Sequence, residues 1–335
     1  MPILLSSPQP TVPVKPPEPP APLPPKERWI YGDHFPGIEA IEWTGWNGDT
    51  WQIGGCGDYT TGVILGRRVR GLHYGDLEEW SSESPAVDGA QHLGYRARPR
   101  EVFFTVRVYS HTTSQEWIEH DSRWWRSMLP AAPGVRGPGR LTITQPNGAK
   151  RWLDLWPRHT GDHEFEVDPA RRGWAVYGQY LTAYRPYWTS DRVQSHRFTQ
   201  GGASGFFGGS VGGRGTPFVI GSQSVFGAAT ISNPGEEPAW PVWTVRGPFT
   251  SAKIGVPGQL SEIRASVASG DWLTIDTDPL AQSVTDSTGA ARYPTQITGA
   301  PFAAIPPGQN RPLIAEMEGA GSIDVSLQPL YHRAW

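Results

Sequence analysis

The sequence contains few of the features that disulfide-bonded proteins and nucleic-acid binders need. Its 335 residues include one cysteine, Cys56, which excludes an internal disulfide framework and a cysteine-based zinc site. A lone cysteine fits a protein made in a reducing cytoplasm, and we expect Cys56 to be an inert, buried thiol. The formal net charge of -3 supplies no basic field for a phosphate backbone or an anionic bilayer.

Long apolar runs are also missing. No window approaches the roughly eighteen apolar residues that a membrane span requires. The start of the sequence, Met1 to Leu5, lacks both a basic region and a long apolar core, so we expect neither a signal peptide nor a membrane anchor.

Glycine and proline are abundant, with 40 and 34 residues, and both disfavour long uninterrupted helices. The 16 tryptophans and 11 tyrosines suit pleated sheets. The composition therefore predicts a mainly β protein, and the length is sufficient for two hydrophobic cores joined by a linker.

The chain divides by composition into four predicted regions. Residues 1–28 form a proline-rich extended arm that cannot fold a core alone, and we expect it to lie against a neighbouring chain. Residues 29–190 and 229–335 are the two globular domains. Residues 191–228 are a glycine-rich linker or loop between them.

Local patterns in the first domain predict a small barrel with one packed helix. The segment 102–109 has the period of a strand, with one apolar face directed at a core. On that face lie Val102, Phe104, Val106 and Val108, which alternate with Phe103, Thr105, Arg107 and Tyr109. Thr113 and Glu116 have the spacing of a capping box that starts a helix ended by Pro130. Its expected apolar stripe is Trp117, Ile118, Trp124, Trp125, Met128 and Leu129. The predicted hairpins join 38–44 to 51–53 at Asn47-Gly48 and 141–145 to 151–156 at Asn147-Gly148, and a long strand runs from Trp174 to about Tyr184.

The second domain has short alternating runs separated by turn residues, which predicts a β-sandwich. The expected strands are 241–246, 252–256, 260–267, 272–277, 313–318 and 323–327. Neither domain shows a further convincing helix.

Three groups of residues could in principle carry chemistry. Ser210 lies in Gly208-Gly209-Ser210-Val211-Gly212, which has the spacing of a nucleophile elbow, but low-complexity glycine favours a flexible linker. His159 and His163, with Asp162 between them, could approach a metal only on a helix, and Gly161 indicates a turn. Glu164, Glu166 and Asp168 would share one face of a strand, where a solvated acidic surface is the simpler interpretation than an acid–base pair.

The tryptophans leave a second hypothesis open, because flat aromatic faces also stack on sugar rings. Trp117, Trp124 and Trp125 belong to the apolar stripe of the helix, so packing in the core or at a subunit interface is the simpler interpretation for them.

Three segments of the second domain, in this order, resemble the distal tail proteins of siphophages, particularly those infecting actinobacteria. They are Asn233–Pro241, Gly270–Thr277 and Ile305–Asn310. The first domain is similar to the ring-forming domain of that family, since Asp88-Gly89 precedes the strand at 100–109, which the helix and second hairpin follow. The resemblance covers roughly residues 30 to 335. The proline arm and the length of the glycine stretch depart from it.

The resemblance implies a split β-barrel domain that assembles as a homo-hexameric ring, and a galectin-like β-sandwich that projects outward. The expected protein is a structural virion component, a minor tail protein that joins the tail tube to the tail-tip or baseplate complex. Its implied partners are the tail tube protein, the tail-tip hub protein, the tape measure protein and side-fibre or receptor-binding proteins. DNA would only pass through the lumen.

The same resemblance implies no enzyme activity, no cofactor, no catalytic or metal-binding residue and no membrane insertion. The expected location is the virion tail tip, after assembly in the host cytoplasm. Two alternatives stay open. One is a carbohydrate-binding tail-tip module for host surface glycans, and the other is a cell-wall hydrolase that uses Ser210 or the acidic group at 164–168.

Overall fold

The computed structural model describes seven stretches of the chain. They are residues 37–56, 61–130, 132–158, 165–199, 224–292, 297–299 and 302–335. The predicted arm at 1–28 and residues 200–223 of the predicted linker lie outside the described residues.

The first part of the described chain contains ten strands and two helices. The strands are β1 Ala40–Thr44, β2 Thr50–Gly55, β3 Val63–Leu65, β4 Leu77–Ser84, β5 Val87–Ala97, β6 Arg100–Tyr109, β7 Gly139–Thr144, β8 Lys150–Arg158, β9 Trp174–Ala183 and β10 Trp188–Ser190. The helices are α1 Ser114–Ser127 and α2 Pro169–Arg172. The larger sheet has the strand order β2-β1-β7-β8-β9-β6-β3, with β10 attached to β8.

Successive parts of strand β8 pair with different strands, and β10 is attached at residues 151–152. Residues 150–155 pair with β7, and residues 156–158 pair with β9. The sheet therefore wraps around one core and is nearly closed. The predicted barrel is confirmed.

The alternation along β6 explains why this strand lies at the centre of the core. Val102, Phe104, Val106 and Val108 are buried, whereas Glu101 before them and Arg107 between them are exposed. Burying each such apolar side chain contributes roughly 1.5–3 kcal/mol. The predicted strand at 102–109 is confirmed, and the structure extends it to Arg100.

Both predicted hairpins form, with a difference in how the turns are made. Gly48 has φ of 81° and Gly148 has φ of 75°, which is the left-handed conformation that glycine adopts at low cost. Asn47 and Asn147 do not share this conformation, since among described non-glycine residues only Arg68 and Asn310 have positive φ. The asparagines instead accept a backbone N–H two residues on, from Asp49 and Ala149.

Helix α1 begins as predicted, because the Thr113 hydroxyl accepts the N–H of Glu116. The Glu116 carboxylate does not complete the capping box, since Ser110 and Thr112 donate to it instead. Trp117, Trp124 and Met128 are buried against the barrel. The expected stripe was too wide, because Ile118 and Leu129 are exposed at its margins.

Eleven strands remain, and the first ten of them form the predicted sandwich of two five-stranded sheets. They are β11 Gln194–Thr199, β12 Ser224–Asn233, β13 Val242–Arg246, β14 Phe249–Val256, β15 Gln259–Val267, β16 Trp272–Asp276, β17 Ser283–Asp286, β18 Ile297–Gly299, β19 Gly308–Gly319, β20 Ser322–Leu327 and β21 Leu330–Tyr331. One sheet has the order β11-β20-β13-β16-β17, and the other has β12-β19-β14-β15-β18. Alternate residues of β13 and β20, among them Trp243 and Val325, face a second apolar core.

The six strands predicted for this domain all form, with ends shifted by a few residues. The sequence reading did not include β11, β12, β17 or β18, and β11 and the first residues of β12 lie inside the segment predicted as linker. Strand β21 leaves the sandwich and pairs with β10 of the barrel sheet. Residues from Gly37 to Trp335 form one compact unit.

Candidate functional site: the exposed ribbon and the contacts at its base

Strands β4 and β5 form a two-stranded ribbon outside both cores. Leu77 pairs with Ala97 and Ser84 pairs with Val87, with irregularities after Trp80 and Glu83. The 11 residues of β5 span roughly 36 Å at about 3.3 Å each. Neither strand pairs with any other strand in the described part of the chain. A lone ribbon of two strands is marginally stable in water, and unpaired strand edges can pair with another chain.

The ribbon exposes apolar side chains as well as its edges. Trp80 is 43% exposed and Leu93 is 60% exposed. On the face of Trp80, the Glu78 carboxylate lies 2.8 Å from Arg96 and 3.2 Å from Arg98. Hydrogen bonds from Arg98 and then Arg96 lower the pKa of Glu78. The strands are thus held in register by polar pairs, while the apolar side chains stay available for contact.

A buried carboxylate at the base of the ribbon links three parts of the molecule. The Tyr95 hydroxyl of β5 donates a hydrogen bond of 2.6 Å to Oε1 of Glu237. Nε2 of His332 lies 2.6 Å from the same oxygen and donates to it, because a carboxylate only accepts. Glu237 and His332 are both 7% exposed. We call Tyr95, Arg100, Glu236, Glu237 and His332 the latch.

Arg100 is the cation of the latch and is only 1% exposed. Its guanidinium donates to the carbonyl groups of Gly71 and His73 and, over 2.8 Å, to that of His332. Burial lowers the pKa of Arg100 to about 10. Because three carbonyl oxygens depend on one side chain, Arg100 ties the last residues of the chain to the barrel.

Glu236 extends the same connection. Its carboxylate accepts the His332 N–H over 2.8 Å and lies 2.6 Å from Arg333. Burial opposes the charged form of Glu236, but the bonds from Arg333 and the His332 N–H outweigh it and lower its pKa. Two residues after His332, Ala334 is fully buried in the barrel core and donates its N–H to the Leu72 carbonyl.

Tyr95 of the latch and the neighbouring Tyr187 are both held in the neutral form. The bond to Glu237, followed by burial, raises the pKa of Tyr95 to about 12. Burial, followed by the negative charge of Glu237, raises the pKa of Tyr187 to about 12. The Tyr187 ring also meets the His332 ring edge-on at 5.4 Å.

Most of the residues that the sequence singled out for chemistry fall outside the part of the chain that the structure describes. Ser210, His159, Asp162, His163 and Glu164 lie outside the described residues. Asp168 caps α2 by accepting the Ala170 N–H, and Glu166 is exposed. Within the described ranges, no three His, Cys, Asp or Glu side chains cluster as metal ligands would.

Two other expectations concern single residues. Cys56 is exposed at the end of β2, so the expectation of a buried thiol was wrong. Trp117 and Trp124 are buried and Trp125 packs edge-on against Tyr177, so packing is the role that the structure shows for all three.

No described helix has the length and apolar character needed to cross a membrane.

The ribbon and the latch were not predicted from the sequence. The ribbon has no buried face, so no apolar alternation marks it. Glu236 and Glu237 lie within the segment Asn233–Pro241 that carried the family resemblance, which was the available signal for the latch. Their partners Tyr95 and His332 are 142 and 95 residues away along the chain.

At the level of sequence, the chain matches no protein-family profile and no curated protein. At the level of structure, it is similar to the Dit protein of phage SPP1, described as a paradigm of the hub adsorption apparatus in phages that infect Gram-positive bacteria. The TM-score is 0.56 at 11% identity, over 87% of this chain and 98% of that chain. The two proteins share one fold.

The chain is also similar in fold to a second solved structure. A chain of the baseplate of phage P2, in its activated conformation with Ca, matches with a TM-score of 0.50 at 11% identity. The similarity covers 86% of this chain and 98% of that one. Because 87% and 86% of this chain are covered, the likeness includes both the barrel and the sandwich.

Proposed function

We propose that this chain is a distal tail protein, a structural virion protein of a long, flexible phage tail. In this proposal six copies form a ring that joins the tail tube to the tail-tip or baseplate complex, and DNA passes through the lumen. The shared fold with two phage tail-tip structures supports the assignment. A sequence identity of 11% to these two proteins supports a shared fold and nothing more. The functional proposal therefore rests on features of this chain, which are the ribbon and its charge.

The ribbon is the observation that carries the proposal. It is long and exposed, bears apolar side chains, and has two edges that pair with no other strand among the described residues. Such edges and apolar groups favour association with another chain. In a closed ring every copy presents the same edge to its neighbour, and all six ribbons become paired or covered. The ribbon is therefore assigned to contacts between copies.

The charge of the ribbon suits the passage of DNA. Residues 77–97 contain four acidic side chains, Glu78, Glu79, Glu83 and Asp88, and one basic side chain, Arg96. A negative ribbon repels the phosphate backbone, so DNA that passes nearby is not retained. The whole chain, at a net charge of -3, lacks the basic field of a nucleic-acid binder.

In this proposal each of the four predicted regions has its own structural role. Residues 29–190 form the ring, and residues 229–335 form a galectin-like sandwich on its outside, with 1–28 as arm and 191–228 as linker. The tail tube lies above the ring, the tail-tip hub protein lies below it, and the tape measure protein passes through it. The role is mechanical and requires no catalytic residue or cofactor, and the ring is part of the virion tail tip after assembly in the host cytoplasm.

Mass measurement tests the proposal. Multi-angle light scattering of the purified full-length chain over a series of concentrations is expected to give six times the chain mass of 36.8 kDa. A mass of one chain at every concentration, in a sample that melts cooperatively, would count against the ring.

A further inference from the structure

The cleft between the barrel and the sandwich has the composition of a ligand site. It encloses a cavity of about 510 Å³. Small-molecule sites have volumes of roughly 300–1,000 Å³, occur preferentially where domains meet, and combine aromatic walls with a few polar groups. We propose that this cleft binds a neutral saccharide, with Trp152, Tyr187 and Trp240 as its stacking surfaces.

The two walls of the cleft come from the outer faces of the two sheets. On the barrel side, Trp152 and Asp154 of β8 share a face, and Arg140 of β7 lies opposite Asp154. On the sandwich side, Val242 pairs with Asp276 on one flank and with Ser326 on the other, and this row faces away from the core. The shape of the cleft is therefore fixed by paired strands and not by loops alone.

Aromatic side chains supply the apolar part of the site. Trp152, Tyr187 and Trp240 are each half-buried and line the cavity. The Arg140 guanidinium lies 5.1 Å from the centre of the Trp152 ring and supports it from one side. Leu280, at 75% exposure, stands at the rim.

The charges of the cleft are mostly paired within the protein. Arg140 makes a two-point bond with Asp154, at 2.7 and 3.2 Å. Arg185 lies 2.6 Å from Asp278. Asp276 has no ion-pair partner among the described residues, so the cleft keeps a small negative excess. This balance excludes an anionic ligand and leaves no unpaired cation to hold a phosphate or a carboxylate.

The polar groups that remain suit hydroxyl groups. One oxygen of Asp276 accepts the Asp278 N–H, while the other makes no hydrogen bond within the described chain. The indole N–H groups of Trp152 and Trp240 likewise have no acceptor in the part of the chain that the structure describes. A sugar ring offers both hydroxyl donors for the carboxylate and oxygen acceptors for the indoles. A proline-rich peptide offers few donors, so the free carboxylate favours the saccharide.

The proposal is independent of the ring, because every group that it uses belongs to one copy. Its test uses the full chain and a panel of neutral oligosaccharides of glucose, galactose, mannose and N-acetylglucosamine. Binding is detected by saturation-transfer NMR and measured by isothermal titration calorimetry. Sialylated and sulfated oligosaccharides and a synthetic proline-rich peptide are measured beside them.

We expect at least one neutral oligosaccharide to bind. Trp240→Ala and Trp152→Ala are each expected to weaken its affinity at least tenfold, and Asp276→Asn to weaken it severalfold while preserving packing. The matched control is Trp272→Ala, which removes a half-buried tryptophan of the same sandwich that does not line the cleft. Its affinity should equal that of the parent chain.

Three results would overturn the proposal. The first is binding of no neutral oligosaccharide, or of only the anionic ones or the peptide. The second is binding that Trp152→Ala, Trp240→Ala and Asp276→Asn all leave unchanged. The third is an equal loss in the Trp272→Ala control. A cooperative thermal melt of each variant separates loss of the site from loss of the fold.

Discussion

The hydroxyl group of Tyr95 donates a hydrogen bond of 2.6 Å to Oε1 of Glu237, and 142 residues separate the two along the chain. Tyr95 lies at the base of an exposed ribbon, whereas Glu237 is buried where the sandwich meets the barrel. A contact of this kind sets the direction of the ribbon relative to both sheets. In the proposed ring, that direction decides where each copy meets the next.

Removal of the Tyr95 hydroxyl group tests the latch. Tyr95→Phe is expected to lower the free energy of unfolding by about 1 kcal/mol, because a bond to a charged acceptor is lost at a partly exposed site. Chemical denaturation measures the change. Tyr180→Phe is the matched control, since Tyr180 is also 45% exposed and its hydroxyl has no hydrogen-bond partner among the described residues. Equal effects of the two substitutions would show that the hydrogen bond from Tyr95 to Glu237 does not stabilise the fold.

Alkaline pH should weaken the fold through two tyrosines. The pKa of Tyr95 and that of Tyr187 are raised to about 12 in the folded chain, from about 10 when unfolded. The folded state thus holds these protons more tightly, so their stabilisation is complete below pH of about 10 and is lost as the pH rises towards about 12. Denaturation midpoints across this window should fall, and fall less in Tyr187→Phe. A parallel fall in both proteins would contradict the assignment.

Acid should act on a different contact, within the sandwich. Hydrogen bonds from Arg197, followed by Arg246, lower the pKa of Asp324. A depressed pKa means stabilisation that is present above the unfolded value of about 3.9 and is lost as the pH falls through the folded value. Asp324→Asn should cost about 1 kcal/mol or less at neutral pH, because the pair is partly exposed. The difference from the parent chain should vanish in acid, and a difference that persists there would show that packing was lost instead.

The ribbon should be needed for assembly and not for folding. The double substitution of Trp80→Ser and Leu93→Ser removes exposed apolar groups, so the free energy of unfolding should change by no more than about 0.5 kcal/mol for each. The light-scattering mass should fall from six chains to one. Val135→Ser with Leu280→Ser is the control, because both are exposed apolar residues outside the ribbon. Hexamers in the ribbon variant would assign assembly to another surface.

The sequence predicted those parts of the fold that local patterns determine. The period of two along residues 102–109 predicted β6, and the Asn-Gly pairs predicted the turns at Gly48 and Gly148. The start of α1 followed from the Thr113 cap, which acts within one helical turn. The two-domain β architecture could be inferred from the same signals.

The sequence did not predict contacts that depend on distant residues. The ribbon has no buried face among the described residues, so its sequence shows no apolar period. The latch joins Tyr95, Glu237 and His332 from three separate segments. Strand β21 pairs with β10 only because the chain returns to the barrel after the sandwich is complete. The exposure of Cys56 could not be predicted for the same reason. Whether a residue at the end of a strand is buried depends on whether an element from elsewhere in the chain covers that residue.

Negative-stain electron microscopy of the full chain tests the ring most directly. The account predicts annular particles with sixfold symmetry and a central opening, and it predicts their loss in the Trp80→Ser, Leu93→Ser variant while the control variant keeps them. Compact single-chain particles at every concentration, or closed assemblies without an opening, would contradict it.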